Sequence, residues 1–184
     1  MGYGLLILGV LLWSGAHLWK RVAPASRARF GESGKGIVAL LSLAAIVLMV
    51  LGYRWAPVTS IWPQSRTLVP LNNLLMLLSF YLFAASGMKT AVTKYVRHPQ
   101  LWGVRFWAIS HLMVKGDLAS LLLFGGLLVW AQVAVTLYNR DNPLWIRAEP
   151  AKSMGKEIGA AVGAILLVGA VGYVHIWLGY RPFG

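Results

Sequence analysis

The chain has 184 residues, 58% of them hydrophobic and only 12% charged, against about a quarter charged in an ordinary soluble protein. Its formal net charge is +12 and it has no cysteine, which excludes disulfides, thiolate metal sites, iron–sulfur ligation and thiol catalysis. The basic residues lie in short loops between apolar runs, a pattern of membrane topology and not of a nucleic-acid footprint, so the expected surroundings are a lipid bilayer and no nucleic acid.

A hydrocarbon core of about 30 Å takes roughly 20 apolar residues as a helix. Residues 3–19 form the first such run. Its charges follow the apolar stretch instead of preceding it, so it reads as a retained anchor with the N terminus outside, not as a cleaved signal. "GESGKG" at 31–36 lacks the spacing of a phosphate-binding loop and no strand precedes it, so no nucleotide site is expected there. Residues 37–56 and 68–88 are the second and third apolar runs.

Residues 101–114 are shorter, about 21 Å at 1.5 Å per residue. Pro99 suits the first turn of a helix, where its missing N–H costs nothing, and it pushes His98 out of helical geometry. "KGD" at 115–117 is punctuation: Gly116 can take a left-handed position beyond one helix, and Asp117 can cap the next. The expected result is a tight hairpin of 99–114 with 118–138. The last run is 158–178, entered by Gly155, Gly159 and Gly163, whose four-residue spacing predicts a close-packing face. The expected fold is thus all-α, a polytopic membrane bundle forming one integral-membrane domain over 1–184. It has six transmembrane helices, the fourth short and paired with the fifth.

Charge sets the orientation. Lys20, Arg21, Arg27, Arg29, Lys35, Lys89, Lys94, Arg97, Arg105, Arg140, Arg147, Lys152 and Lys156 gather on one side, thirteen of the seventeen basic residues. That side is the cytoplasm, with both termini outside, in the periplasm of a bacterial inner membrane. Trp19, Trp102 and Trp145 fall near the inner interface, and Trp55, Trp62 and Trp177 near the outer one.

The chemistry rests on four histidines, because only five acidic residues exist and none form a plausible pair. His17 lies late in the first helix, His98 at the start of the fourth, His111 within the fourth and His175 near the outer end of the sixth. With no thiols and few acids, the economical chemistry is a haem iron clamped by two neutral imidazoles inside an apolar bundle. A bare divalent ion would want a third or fourth protein ligand. At 1.5 Å per residue His17 lies about 5 Å inside the boundary measured from Lys20, and His111 about 18 Å inside measured from Pro99. If Arg105 marks the boundary, His111 lies only about 9 Å in and the two depths nearly agree. By depth alone, His111 with His175 is the competing pair.

The segments "SGAHLWKRVAPASRARFGESGKG", "VRHPQLWGVRFWAISHLMVKGDLASLLLFGG" and "HIWLGYRPFG" resemble the NnrU family of six-helix bacterial membrane proteins over nearly the whole chain. The resemblance implies a link to nitrite and nitric oxide metabolism in denitrifying bacteria. Plant relatives, similar in the "RHPQ…H" segment, are zeta-carotene isomerases, membrane haem b proteins that convert a cis double bond to trans. Carried over to this sequence, the resemblance implies haem b with His17 and His111 as iron ligands, while His175 stays the alternate ligand on depth alone. Arg105 is then a boundary or propionate-facing residue, and His98 lies beside the site or at a substrate mouth. It also implies an apolar small-molecule substrate or a redox partner. Two other functions compete. "RHPQLWG" is similar to the start of the cofactor region in isoprenylcysteine-type membrane methyltransferases, although the acidic residues downstream in those enzymes are missing. The other is a non-catalytic assembly or partner-binding bundle.

Overall fold

In a computed structural model of the protein, residues 1–147, 149 and 153–183 are described. Lys152, counted among the inner-side basic residues, and Gly184, which ends the last quoted segment, lie outside the described residues. The chain forms α1 (Gly2–Val22), α2 (Pro24–Ala28), α3 (Ser33–Trp55), α4 (Val69–Met88), α5 (Pro99–Val114), α6 (Leu118–Asp141) and α7 (Met154–Trp177). Proline sits in the first turn of α2, α4 and α5, where no helical donor is lost. His98 precedes α5 with φ −129° and ψ 68°, the non-helical geometry that Pro99 imposes. α4 ends on Lys89 in the left-handed conformation, whose N–H reaches back to the carbonyl of Ala85.

The helices group into two compact units. The first comprises Met1–Pro63 and Gly116–Arg140. Here α1 and α3 pack backbone to backbone through glycines. A Cβ on Gly9 would meet Met49 at 2.8 Å, and one on Gly52 would strike the backbone of Leu6. Leu6, Val10, Ala45 and Met49 fill the seam. α6 adds buried Leu127, Trp130, Ala131 and Ala134, and its Gly126 sits against Val10. Tyr3 Oη lies 2.8 Å from both the Pro57 carbonyl and Thr59 Oγ1.

The second unit comprises Gln64–Lys115 and the described part of Asp141–Gly184. α4 lies between α5 and α7 as their common packing partner. Gly103 of α5 sits against the Phe83 ring of α4, and the Ser79 hydroxyl donates to the Gly103 carbonyl at 2.8 Å. In α7, Ala160 and Ala164 are the buried small residues. Gly159 approaches Met88, whereas a Cβ on Gly163 would meet open space, so the glycine spacing alone did not mark the packed face. Glu157 accepts the Ala91 N–H at 2.7 Å, which ties α7 to the turn after α4.

Three expectations are corrected. Among the described residues five helices, not six, are long and apolar enough to span a membrane: Gly2–Val22, Ser33–Trp55, Arg66–Met88, Leu118–Asp141 and Met154–Trp177. The 16 residues of α5 reach only about 24 Å at 1.5 Å per residue. The hairpin of α5 with the following helix does not form either; α5 packs along α4. Gly116 is not left-handed, since the positive-φ residues among those described are Lys89, Gly31 and Gly179. The chain instead runs extended through Gly116 and pairs with the loop after α3. The Gly116 carbonyl accepts N–H groups from Ile61 at 2.7 Å and Trp62 at 3.1 Å, and Leu118 N–H donates to the Thr59 carbonyl at 2.9 Å. Ser60 and Asp117 form an antiparallel bridge. The Trp62 carbonyl occupies the space that a Cβ on residue 116 would need, which is why glycine stands there.

Asp117 does cap α6, as its position predicts: Oδ1 accepts the Ser120 N–H at 2.8 Å. Its other oxygen accepts the Ser120 hydroxyl at 2.8 Å, which leaves the Tyr53 hydroxyl, 2.8 Å away, to donate to Ser120. The next turn, Leu121–Gly125, is a π-helical widening within the same span.

Candidate functional site

His17, His111 and His175 share one local geometry. Each ring places Nδ1 against the carbonyl four residues earlier: His17 on Trp13 at 2.9 Å, His111 on Trp107 at 2.8 Å, and His175 on Val171 at 2.8 Å. A carbonyl only accepts, so Nδ1 carries the proton in each neutral ring. Nε2 is then left with its lone pair, the tautomer that a metal-ligating imidazole needs.

His17 and His111 share more than this. Both end a Trp-x-x-x-His spacing, "WSGAH" from Trp13 and "WAISH" from Trp107. One helical turn brings the indole alongside the imidazole. The Trp13 and His17 rings stack with centroids 4.0 Å apart, and Trp107 and His111 lie tilted at 5.3 Å. His175 has Val171 in that place and meets Tyr180 edge-on at 6.2 Å instead.

The surroundings differ. In the first unit, Trp130 of α6 stands edge-on to both Trp13, at 5.6 Å, and His17, at 5.4 Å. The indole N–H groups of Trp13 and Trp130 are buried and reach no acceptor. A buried donor left in that state costs about 1–3 kcal/mol. In the second unit, His111 sits beside buried Ser110, whose hydroxyl lies 2.8 Å from the same Trp107 carbonyl and 3.1 Å from Met76 Sδ on α4. His175 and Lys115 lie within electrostatic reach of His111. Lys115 Nζ in turn lies 5.9 Å from the centre of the Tyr180 ring.

The structure thus brings His111 and His175 into one unit and places His17 in the other. Arg105 is half-buried one turn along from Trp102, with its guanidinium 4.7 Å from the Trp102 ring centre. α5 runs unbroken from Pro99 through Arg105. His98 stands before the first turn of α5 without a side-chain capping bond to it, and its carbonyl accepts the Trp102 N–H at 3.0 Å. Beside it, the Arg97 guanidinium donates to the Asn142 carbonyl. Among the described residues no group of three or more His, Asp, Glu or Cys side chains could hold a bare metal ion.

Residues 5–182 match the family described as NnrU protein. The chain belongs to the NnrU family. No curated protein and no solved structure matches it. The match spans all five apolar helices, so this NnrU family member is a polytopic α-helical membrane protein, a helical bundle embedded in the bilayer.

Sequence reasoning missed three features of this family member. The repeated Trp-x-x-x-His spacing was legible, since in both copies the tryptophan and histidine stand four residues apart in the sequence. Trp130 carried no such signal, because α6 meets α1 only in the folded unit. The pairing of Thr59–Trp62 with Gly116–Leu118 had none either, being an extended contact between two short loops.

Proposed function

We propose that the protein is a haem b-binding bacterial inner-membrane protein in which His111 would ligate the iron and a second imidazole would complete the pair. The observation that carries this reading is the repeated Trp-x-x-x-His unit, in which the backbone takes the Nδ1 proton and leaves Nε2 as a lone-pair donor. The donor set fits a haem iron, which asks two imidazoles of the protein, better than a bare ion, which asks for three or four ligands. The resemblance names His17 as the second ligand, and the Trp-x-x-x-His spacing that it shares with His111 supports that choice. His175 holds Nδ1 against a backbone carbonyl in the same way but lacks the tryptophan. Bound haem would supply an iron centre for one-electron chemistry or for polarising a conjugated double bond. The chain's own part is to hold the imidazoles in the ligating tautomer and to exclude water with tryptophan. The family resemblance supports a role in nitrite and nitric oxide metabolism, with an apolar substrate or a redox partner.

The orientation follows from the first unit and from charge. With the N terminus outside, α1 runs inward and α3 outward. The loop after α3 pairs with Gly116–Leu118, which supports an outer start for α6. α6 then runs inward and α7 outward. For both termini to face the periplasm, the chain must return from the inner to the outer side between α4 and α6. α5, too short to span alone, would make that passage together with its flanking residues. The basic residues fall on the cytoplasmic side.

An absorption spectrum of detergent-purified protein, oxidised and then reduced, tests the haem reading. A Soret band with split low-spin bands on reduction is expected, and it weakens in His111→Ala. A folded preparation that stays colourless after expression with haem supplied and incubation with excess haem overturns it.

A further inference from the structure

We infer that Trp13, His17 and Trp130 form a binding site for a neutral, carbonyl-bearing apolar molecule drawn from the membrane, held by hydrogen bonds from two indole N–H groups. The inference rests on residues of the first unit alone and goes beyond the haem reading without depending on it.

Three aromatic rings on α1 and α6 lie mutually within 6 Å, at 4.0, 5.4 and 5.6 Å between centroids. Such a cluster would ordinarily be a packed core. Here both of its indole donors, Trp13 Nε1 and Trp130 Nε1, are buried without an acceptor, and Trp130 is only 8% exposed. Buried donors in folded proteins are nearly always paired, and an exception points to an occupant. Contacts of an N–H with a neighbouring ring face are too weak to replace that partner.

The chemistry of the donors narrows the occupant. An indole N–H only donates, so the molecule must bring an acceptor. A carbonyl oxygen has two lone pairs and can take both donors at once. A pure hydrocarbon would leave both unpaired. A carboxylate would have to shed its water inside an apolar segment, and that penalty needs a cation beside it; the ring partners of this cluster are aromatic. Ketones and quinones, neutral and membrane-soluble, meet all three conditions. His17 stays fixed, because its Nδ1 proton is already held by the Trp13 carbonyl.

The test is photolabelling of the whole protein in liposomes with benzophenone. Its excited carbonyl takes a hydrogen from a nearby C–H, and the two radicals join as a C–C bond with the hydrogen left on oxygen. The label is expected to saturate and to map to α1 and α6. It is expected to fall several-fold in Trp13→Phe with Trp130→Phe, which keeps the rings and removes only the N–H groups. A long-chain ketone should compete, and the alkane of equal length should not. Equal competition by the alkane, non-saturating label on every exposed helix, or label unchanged in the phenylalanine variants would overturn the proposal and leave the indoles holding water or each other. If the double variant does not fold, Trp130→Phe alone and the ketone–alkane competition on the unaltered protein decide the matter. Neither readout requires haem.

Discussion

Trp13–His17 and Trp107–His111 are the same five-residue device in two settings. In both, a helical turn hands the Nδ1 proton to a tryptophan carbonyl and lays an indole beside the imidazole. Around His17 the partners are aromatic, and two donors lack acceptors. Around His111 the neighbours are the Ser110 hydroxyl, which also reaches the Met76 thioether, and the Lys115 ammonium. Local sequence therefore sets the tautomer, while tertiary packing decides how polar the surroundings are. The two histidines are equivalent as nitrogen donors and unequal as environments.

The largest expected effect breaks or keeps that equivalence. His17→Ala and His111→Ala should each abolish most of the Soret absorbance per mole of protein, whereas His175→Ala, which lacks the tryptophan, should retain it. Bleaching by His175→Ala with His17→Ala still coloured would show that sharing a unit matters more than sharing the device.

The two units also differ in how their helices touch, and glycine substitutions sharpen the difference. A Cβ on Gly52 would meet the backbone of Leu6, which cannot move aside without parting α1 from α3. A Cβ on Gly103 would meet the edge of the Phe83 ring at 2.9 Å and the Ser79 carbonyl at 3.0 Å. Gly52→Ala should therefore lie at or above the upper end of the roughly 1–3 kcal/mol cost of overpacking, and Gly103→Ala toward its lower end. Melting of the detergent-purified variants, followed by circular dichroism, ranks them. A Gly103→Ala protein that melts first would reverse the order.

Asp117→Ala comes next. It removes the cap of α6, worth about 1 kcal/mol, and takes the charged acceptor from the fully buried Ser120 hydroxyl, which keeps only its bond with Tyr53. Expected destabilisation is about 2 kcal/mol, read in the same melts, with Asp117→Asn recovering part of it because the amide oxygen still caps.

Much of this was legible in the chain. The apolar runs that became α1, α3, α4, α6 and α7 were marked by length and composition. Pro99 and Asp117 acted where their chemistry puts them, one opening α5 and the other capping α6. Gly116 misled, because the same residue serves a left-handed turn and a close backbone approach, and only the Trp62 carbonyl tells them apart. The hairpin failed with it. A short apolar segment can pack on the helix before it or the helix after it, and the Ser79–Gly103 contact decides for the former. The glycines of α7 show a related ambiguity, since Ala160 and Ala164 form the packed face while Gly163 has open space beside it.

The smallest expected effect tests whether that Ser79–Gly103 contact holds α5 by its hydrogen bond or by its shape. Ser79→Ala deletes the hydroxyl that donates to the Gly103 carbonyl at 2.8 Å. Being inside a helix, that carbonyl keeps its own partner four residues on, so nothing buried is left unpaired. Alanine is also small enough to preserve the close approach of α4 and α5. The cost should be about 0.6 kcal/mol, the usual value for such a bond between membrane helices, and well below that of Asp117→Ala. Ser79→Leu should cost far more, because it forces the helices apart at Gly103. If Ser79→Ala costs as much as Ser79→Leu, the hydrogen bond and not the glycine seam holds α5 on α4. The second unit would then be built on polar pairing where the first is built on backbone contact.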